Sequence, residues 1–146
     1  MSALPVPSAT PARTRILLAD APGFSRDALT DLLAGTAGVE LVGVVGDPRN
    51  LRAAIARLAP HALVIDDRLL QDLDWLPGGP GLHVIVVGVD DDPGYAVRAT
   101  RLGAVTWLPK ERADLLVETL AAIGDVVGKY GRAPRLTADD VCGSRA

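Results

Sequence analysis

The chain has 146 residues, a net charge of -3 and a hydrophobic fraction of 49%. This length supports one domain with a single core, and the lack of a basic excess argues against binding of duplex DNA by this chain alone. A single cysteine excludes an internal disulfide and favours a reducing, cytoplasmic setting, and no apolar run reaches the roughly 18 residues that span a bilayer.

Short apolar runs alternate with amphipathic stretches along the first half of the chain. Ile16 to Ala19 predicts a first strand, and Ser25 is the expected N-cap of the helix that follows. Val39 to Val45 predicts the second strand. Asp47 is expected to cap a second helix that begins at Pro48, since proline suits the first helical position.

The alternation continues through the second half. The apolar run 62–65 predicts the third strand, and the chain then places two carboxylates, Asp66 and Asp67, directly after it. Beyond a break rich in Gly and Pro, the pattern predicts a fourth strand, a helix, a fifth strand and a last helix, over residues 84–87, 93–102, 104–108 and 112–127.

Strands that are apolar throughout and alternate with helices indicate an α/β fold with a parallel sheet covered on both faces. In such folds the functional crevice lies beyond the carboxyl ends of the strands. Asp20 follows the first strand, Asp66 the third and Lys110 the fifth. We therefore expect these three side chains at one rim of the sheet.

A family resemblance is carried by the segments RILLADAPGFSRDAL, VELVGVVGDPRNLRAAIARLAPHALVIDD and HVIVVGVDDDPGYAVRATRLGAVTWLPKE. Over about residues 14–123 they resemble the receiver domain of bacterial two-component response regulators of the NarL/FixJ group. The resemblance implies a flavodoxin-like, doubly wound sheet of five parallel strands. It divides the chain into a flexible arm at 1–13, a receiver-like domain at 14–127 and a tail or linker at 128–146.

In that family a carboxylate after the third strand accepts a phosphoryl group from a histidine kinase. Acids after the first strand hold Mg²⁺, and a lysine after the fifth strand neutralises the phosphoryl charge. By resemblance Asp66 matches the phosphoacceptor, Asp20 the first acid and Lys110 the lysine. Asp20 and Asp66 would then be ligands of a weakened Mg²⁺ site, and no other cofactor is implied.

Three pocket positions depart from the family pattern. Ala21 stands where the second acid is expected, and a methyl group cannot coordinate a cation. Gly88 replaces the Thr or Ser that contacts the phosphoryl group, and Trp107 takes the position of the switch aromatic, more usually Tyr or Phe. The short stretch after Asp66 also predicts a third helix of only a turn or two.

Several rim residues have alternative interpretations. Asp66 is either a phosphoacceptor or a retained acid in an inert domain. Asp67 is expected to face solvent, and the cluster Asp90–Asp92 to cap the next helix instead of supplying the missing ligand. Lys110 is expected to pair with Asp66 or Asp20 in place of a metal, because adjacent carboxylates need a cation.

The favoured function is an atypical receiver domain that acts in signal transduction, including transcriptional regulation, through protein contacts with weak or no phosphoryl switching. One alternative is a conventional phosphoacceptor that a histidine kinase phosphorylates on Asp66. Another is a regulatory domain that binds a small ligand between Ala21, Gly88 and Lys110. We expect that the chain has no enzymatic activity and does not bind membranes. We also expect that it contacts a histidine kinase or another regulatory protein.

The last predicted helix supports the prediction that the chain forms a homodimer. A helix that covers a sheet needs one apolar stripe of about 100°, and this helix has apolar residues on more than one face. The surplus predicts an exposed apolar strip that a symmetric dimer would bury, unless the tail covers it. The apolar residues are Leu115, Leu116, Val117, Leu120, Ala121, Ile123, Val126 and Val127.

Overall fold

Strands and helices alternate along the chain. The computed structural model describes residues 13–73, 75, 77, 81–88 and 106–130. The predicted helix 93–102, the cluster Asp90–Asp92 and most of the arm and tail lie outside these residues. The described elements are β1 (Thr14–Ala19), α1 (Phe24–Ala34), β2 (Val39–Val45), α2 (Pro48–Leu58), β3 (Ala62–Asp66), α3 (Asp67–Gln71), β4 (His83–Gly88), β5 (Thr106–Pro109) and α4 (Ala113–Tyr130).

All five strands are parallel, in the order β2-β1-β3-β4-β5. The chain moves from β1 to one edge, crosses back to β3 and continues to the other edge, which is the doubly wound topology. The predicted fold class is therefore confirmed. The carboxyl ends of β1, β3, β4 and β5 open onto one rim, where Asp66 lies opposite Val87 and Gly88 opposite Pro109.

The sheet separates two hydrophobic clusters, because successive side chains of a strand point to opposite faces. Ile16 and Leu18 pack on the face covered by α1 and α4, whereas Leu17 and Ala19 pack on the face covered by α2 and α3. Burial on both faces explains why each strand appears in the sequence as an unbroken apolar run.

Helix α1 begins two residues earlier than its predicted cap implies. Gly23 is the N-cap, no side chain bonds to the cap, and Ser25 lies inside the first turn. The prediction that Ser25 caps this helix is wrong, because its hydroxyl is engaged at the rim of the sheet. Asp47 does cap α2 as predicted, accepting a 2.9 Å hydrogen bond from the backbone amide of Arg49.

Helix α4 uses more of its apolar surface than a single stripe. Beyond the buried Leu116 and Leu120, the side chains of Leu115 and Val126 also pack against the core cluster. In the described part of the chain, the exposed large hydrophobic residues are Phe24 and Val44, and neither lies on α4. The predicted apolar strip therefore has no exposed large side chain, and of its predicted members Ala121 is the exposed one. Among the described residues no helix combines the length and hydropathy needed to cross a membrane.

His83, the first residue of β4, is a core histidine. Its side chain is almost fully enclosed, the residue being 2% exposed, and neither ring nitrogen has a hydrogen-bond partner. Burial lowers the pKa of His83 below its ordinary value of 6.5, because an imidazolium would lose its hydration. The folded protein therefore holds this ring in the neutral form.

A pH dependence of stability follows from this burial. Below a pH of about 6.5 the unfolded chain gains a proton at His83 that the folded chain does not, so stability should fall by up to about 1.4 kcal/mol per pH unit. The variant His83→Leu should lose this component and keep the rest, since His61 is present in both proteins. Urea unfolding at a series of pH values through this range measures both slopes. Equal slopes would contradict the assignment.

Candidate functional site

Three charged side chains from three different strands meet at the carboxyl rim. Asp20 directly follows β1, Asp66 is the last residue of β3, and Lys110 directly follows β5. Asp20 and Asp66 are 2% and 3% exposed, and the Lys110 side chain is 9% exposed. The predicted convergence of these residues is present, and it takes place almost out of contact with solvent.

The Lys110 ammonium lies between the two carboxylates. Its Nζ is 3.0 Å from Asp20 Oδ2 and makes a short ion pair with Asp66 Oδ2. It also donates to Ser25 Oγ, whose hydroxyl donates to Asp20 Oδ2 at 3.2 Å. These contacts use the three donors of an ammonium group. The predicted ion pair thus forms with both acids at once.

Asp66 has both of its oxygens occupied. Oδ1 accepts a 2.7 Å hydrogen bond from the backbone amide of Arg68, because Asp66 is the N-cap of α3, and Oδ2 faces Lys110. Burial alone would raise the pKa of Asp66, but the hydrogen bond and charge of Lys110, together with Arg68, hold it below its ordinary value. The group is therefore an ionised carboxylate at neutral pH.

Gly88 and Trp107 face each other beside these charges. A Cβ atom on residue 88 would lie 3.1 Å from Trp107 Nε1 and 3.6 Å from the Cβ of Asp67. The indole is half-buried and packs against the hydrophobic cluster on the α2 and α3 face. It therefore covers the glycine at the position where the resemblance implies a Thr or Ser hydroxyl.

No family model matches the chain. Among solved structures, the signal receiver domain of NarL from Mycobacterium tuberculosis aligns with a TM-score of 0.64 at 16% identity, covering 79% of this chain and 98% of that one. The response regulator domain of CheB from Thermotoga maritima aligns with a TM-score of 0.61 at 20% identity, covering 78% and 98%. The chain has a receiver-domain fold.

Sequence relatives of this chain are longer proteins. A protein-glutamate methylesterase/protein-glutamine glutaminase from Moorella thermoacetica is 31% identical over 103 residues, which cover 66% of this chain and 24% of that protein. An enzyme of the same name from Myxococcus xanthus is 29% identical over 136 residues, covering 82% and 38%. The chain therefore spans well under half the length of the relatives it matches.

The rim of this sheet does not fit the Mg²⁺ site that the resemblance implies. Mg²⁺ takes six oxygen ligands in near-octahedral geometry, of which several are waters and one or two are carboxylates that face the ion. Here Asp20 and Asp66 face the Lys110 ammonium, and Ala21 is exposed and offers only a methyl group. Throughout the described ranges, no group of three or more Asp, Glu, His or Cys side chains is placed to hold a metal. Lys110 therefore supplies the balancing charge that the resemblance assigns to the metal.

Asp67 does not face solvent. The residue is 4% exposed, and its Oδ2 accepts a 2.8 Å hydrogen bond from Gln71 Nε2. The prediction of an exposed strand-end residue is wrong, because α3 begins at Asp67 without an intervening loop. Gln71, one turn further along this short helix, holds the carboxylate.

Ser25 is a rim residue that the sequence pattern did not reveal. Its hydroxyl donates to Asp20 and accepts from Lys110, which lies 85 residues after Ser25 in the chain. A serine near the start of a helix is most simply interpreted as a cap, and that signal hid the longer-range contact. The one signal in the sequence for this contact is the spacing of five residues between Asp20 and Ser25. This spacing lets the first turn of α1 return to the end of β1.

Proposed function

We propose that this chain is an atypical receiver domain that acts in signal transduction through protein contacts, with weak or no phosphoryl switching at Asp66. The observation that supports it best is the ammonium of Lys110, shared by Asp20, Asp66 and Ser25. A phosphoacceptor carboxylate needs an oxygen free to attack and a cation that balances the developing charge. At this rim both Asp66 oxygens are engaged, and the second acid is replaced by Ala21.

The proposed setting is the cytoplasm, and the proposed role in transcription is exerted through partner proteins. We propose no enzymatic activity for this chain, since it matches 24% of the Moorella enzyme and 38% of the Myxococcus enzyme. The methylesterase and glutaminase activities in those names are therefore attributed to the longer proteins alone.

A conventional phosphoacceptor is the second candidate. The lowered pKa of Asp66 favours it, because the nucleophile must be ionised, and Lys110 already lies beside it. A histidine kinase would then be the partner, and the incoming phosphoryl group would have to displace Lys110 from one Asp66 oxygen. A small ligand between Ala21, Gly88 and Lys110 has less support, because the Trp107 indole covers Gly88 and Lys110 is engaged.

A homodimer is the proposed form in which the protein contacts are made. The surface that supports it is a groove of about 250 Å³ between α4 and the turn before β2, lined in part by Val117, Ala121 and Gly124. Val117 is half-buried and Ala121 exposed, so a second copy can reach them without unfolding the helix.

We expect this dimer to persist in EDTA without any phosphodonor, because the Lys110 contacts hold the rim without a metal. Sedimentation at micromolar protein measures it. The variant Ala121→Glu should weaken association at least about tenfold by placing a charge in the groove. Ala122→Glu changes a neighbour that is also exposed but lies outside the groove lining, and it is the matched control. A monomeric wild type in EDTA, or equal effects of the two variants, would refute the dimer at this surface.

A further inference from the structure

Gly88 is not required by the backbone at the end of β4. Among the described residues, the glycines with φ in the left-handed region are Gly38 and Gly81, with Gly23 at its edge, and Gly88 is not one of them. Gly88 pairs regularly with Pro109 of β5. A strand position of this kind ordinarily favours a β-branched or aromatic residue, and glycine there costs conformational entropy. Another contact must therefore explain the missing side chain.

The contact is the indole of Trp107. The Cβ atom of any larger residue at position 88 would lie 3.1 Å from Nε1 and 3.5 Å from Cζ2 of this ring. The first distance is tighter than most Cβ contacts in proteins, so a side chain at position 88 requires the ring to shift by a few tenths of an ångström, and the packing of the ring opposes that shift. The ring is held in this place by its packing against the cluster on the α2 and α3 face and by the pairing of Trp107 with Val86.

We propose that Trp107 and Gly88 form a fixed packing pair, in which the indole keeps one inward position whatever the state of Asp66. An aromatic side chain can serve as a switch only when its inward and outward positions have comparable free energies. Moving this indole outward would expose a large apolar surface and leave a void over a residue with no side chain to fill it. The inward state is therefore the populated one.

This inference rests on the proposed function and explains why the conformation of the β4–β5 rim would not change on phosphorylation of Asp66. The surface formed by β5 and its neighbours then has a single form. A protein partner that binds there responds to the presence of the chain and to its concentration. It does not respond to a chemical change at Asp66.

Displacement of the indole by a side chain at position 88 tests the pair. The background is Trp75→Phe, which leaves Trp107 as the chain's one tryptophan and keeps an aromatic face under the Arg52 guanidinium, now 4.5 Å from the Trp75 ring. Gly88→Thr should shift Trp107 emission to the red and raise its quenching by acrylamide at least about twofold, because the ring becomes exposed. Gly128→Ala is the matched control, since a Cβ there meets nothing within 4 Å.

A second variant keeps the test decisive if Gly88→Thr does not fold. The double variant Gly88→Thr with Trp107→Phe should regain a cooperative thermal transition, because the smaller ring frees the space that threonine needs. Unchanged emission in Gly88→Thr would overturn the pair. So would a double variant no more stable than Gly88→Thr alone, because glycine would then be needed for some other reason.

The proposed function is tested separately by intact-mass measurement after incubation with a small phosphodonor and Mg²⁺. Phosphoryl uptake at Asp66 with unchanged Trp107 emission would contradict the proposed function and support the fixed pair. A change of Trp107 emission that accompanies uptake would contradict both. Absence of uptake, together with indole displacement by Gly88→Thr, is the expected result.

Discussion

Replacing Lys110 by methionine should lower the free energy of unfolding by about 3 to 5 kcal/mol, because it leaves buried charges without a partner. Methionine keeps most of the apolar stem and removes the ammonium that pairs with Asp20 and Asp66. Both carboxylates are almost inaccessible to water, so solvation cannot replace the lost ion pairs. Urea unfolding at neutral pH measures the loss.

The chain supplies a matched control for this variant. Lys129, the other lysine, is exposed near the end of α4, and Lys129→Met should change stability by no more than about 0.5 kcal/mol. Adding Asp66→Asn to Lys110→Met should restore part of the loss, because one buried charge is removed with its partner. A Lys110→Met variant as stable as Lys129→Met would contradict the role given to the ammonium.

The difference between wild type and Lys110→Met should also depend on pH. Lys110 holds the folded pKa of Asp66 below its ordinary value of 3.8, so this stabilisation is fully present above that value. It is lost as the pH falls through the lower folded pKa, where the carboxylate becomes neutral in both states. The two unfolding curves should therefore converge in acid, and curves that stay separate would point to lost packing of the lysine stem instead.

Ala21→Asp is expected to give the protein a Mg²⁺ site that the wild type lacks. The new carboxylate would stand beside Asp20 at the end of β1, where an exposed methyl group now lies. Without metal the variant should be less stable, because a further negative charge is added to the rim. Saturating Mg²⁺ should reverse this and stabilise the variant by about 1 to 3 kcal/mol.

Thermal unfolding with and without Mg²⁺ measures that stabilisation. Ala21→Asn is the control, since it has nearly the same size and a neutral oxygen. A response to Mg²⁺ that is equal in Ala21→Asn and Ala21→Asp would show that charge is not the missing element. An equal response in the wild type would show that Asp20 and Asp66 hold the ion without a third acid.

The sequence predicted the fold and the main charges of the site for a simple physical reason. Parallel strands buried on both faces must be apolar throughout, so the first polar residue after each strand marks the rim. Asp20, Asp66 and Lys110 occupy such positions, and their convergence follows once the strand order is doubly wound. The ion pair of Lys110 with both acids follows from the same placement.

The remaining features of the site depend on contacts that no local pattern records. Ser25 has a strong local signal for a helix cap, and its contact with Lys110 exists only after β1 and β5 are in place. Asp67 is covered because α3 begins at this residue, whereas the sequence pattern indicated an exposed residue at the end of a strand. The fit of Trp107 over Gly88 depends on the registered pairing of β4 with β5, so neither residue alone indicates it.

Titration of the wild-type protein with beryllofluoride and Mg²⁺, followed by calorimetry, is the most direct test of the proposal that Lys110 occupies the rim. Beryllofluoride reports binding of a phosphoryl-like group at Asp66 whether or not Trp107 moves, and Ala21→Asp serves as the comparison that is expected to respond. We predict no saturable heat for the wild type at millimolar Mg²⁺. Saturable binding of one equivalent by the wild type, abolished by Asp66→Asn, would contradict the proposal and establish the conventional phosphoacceptor.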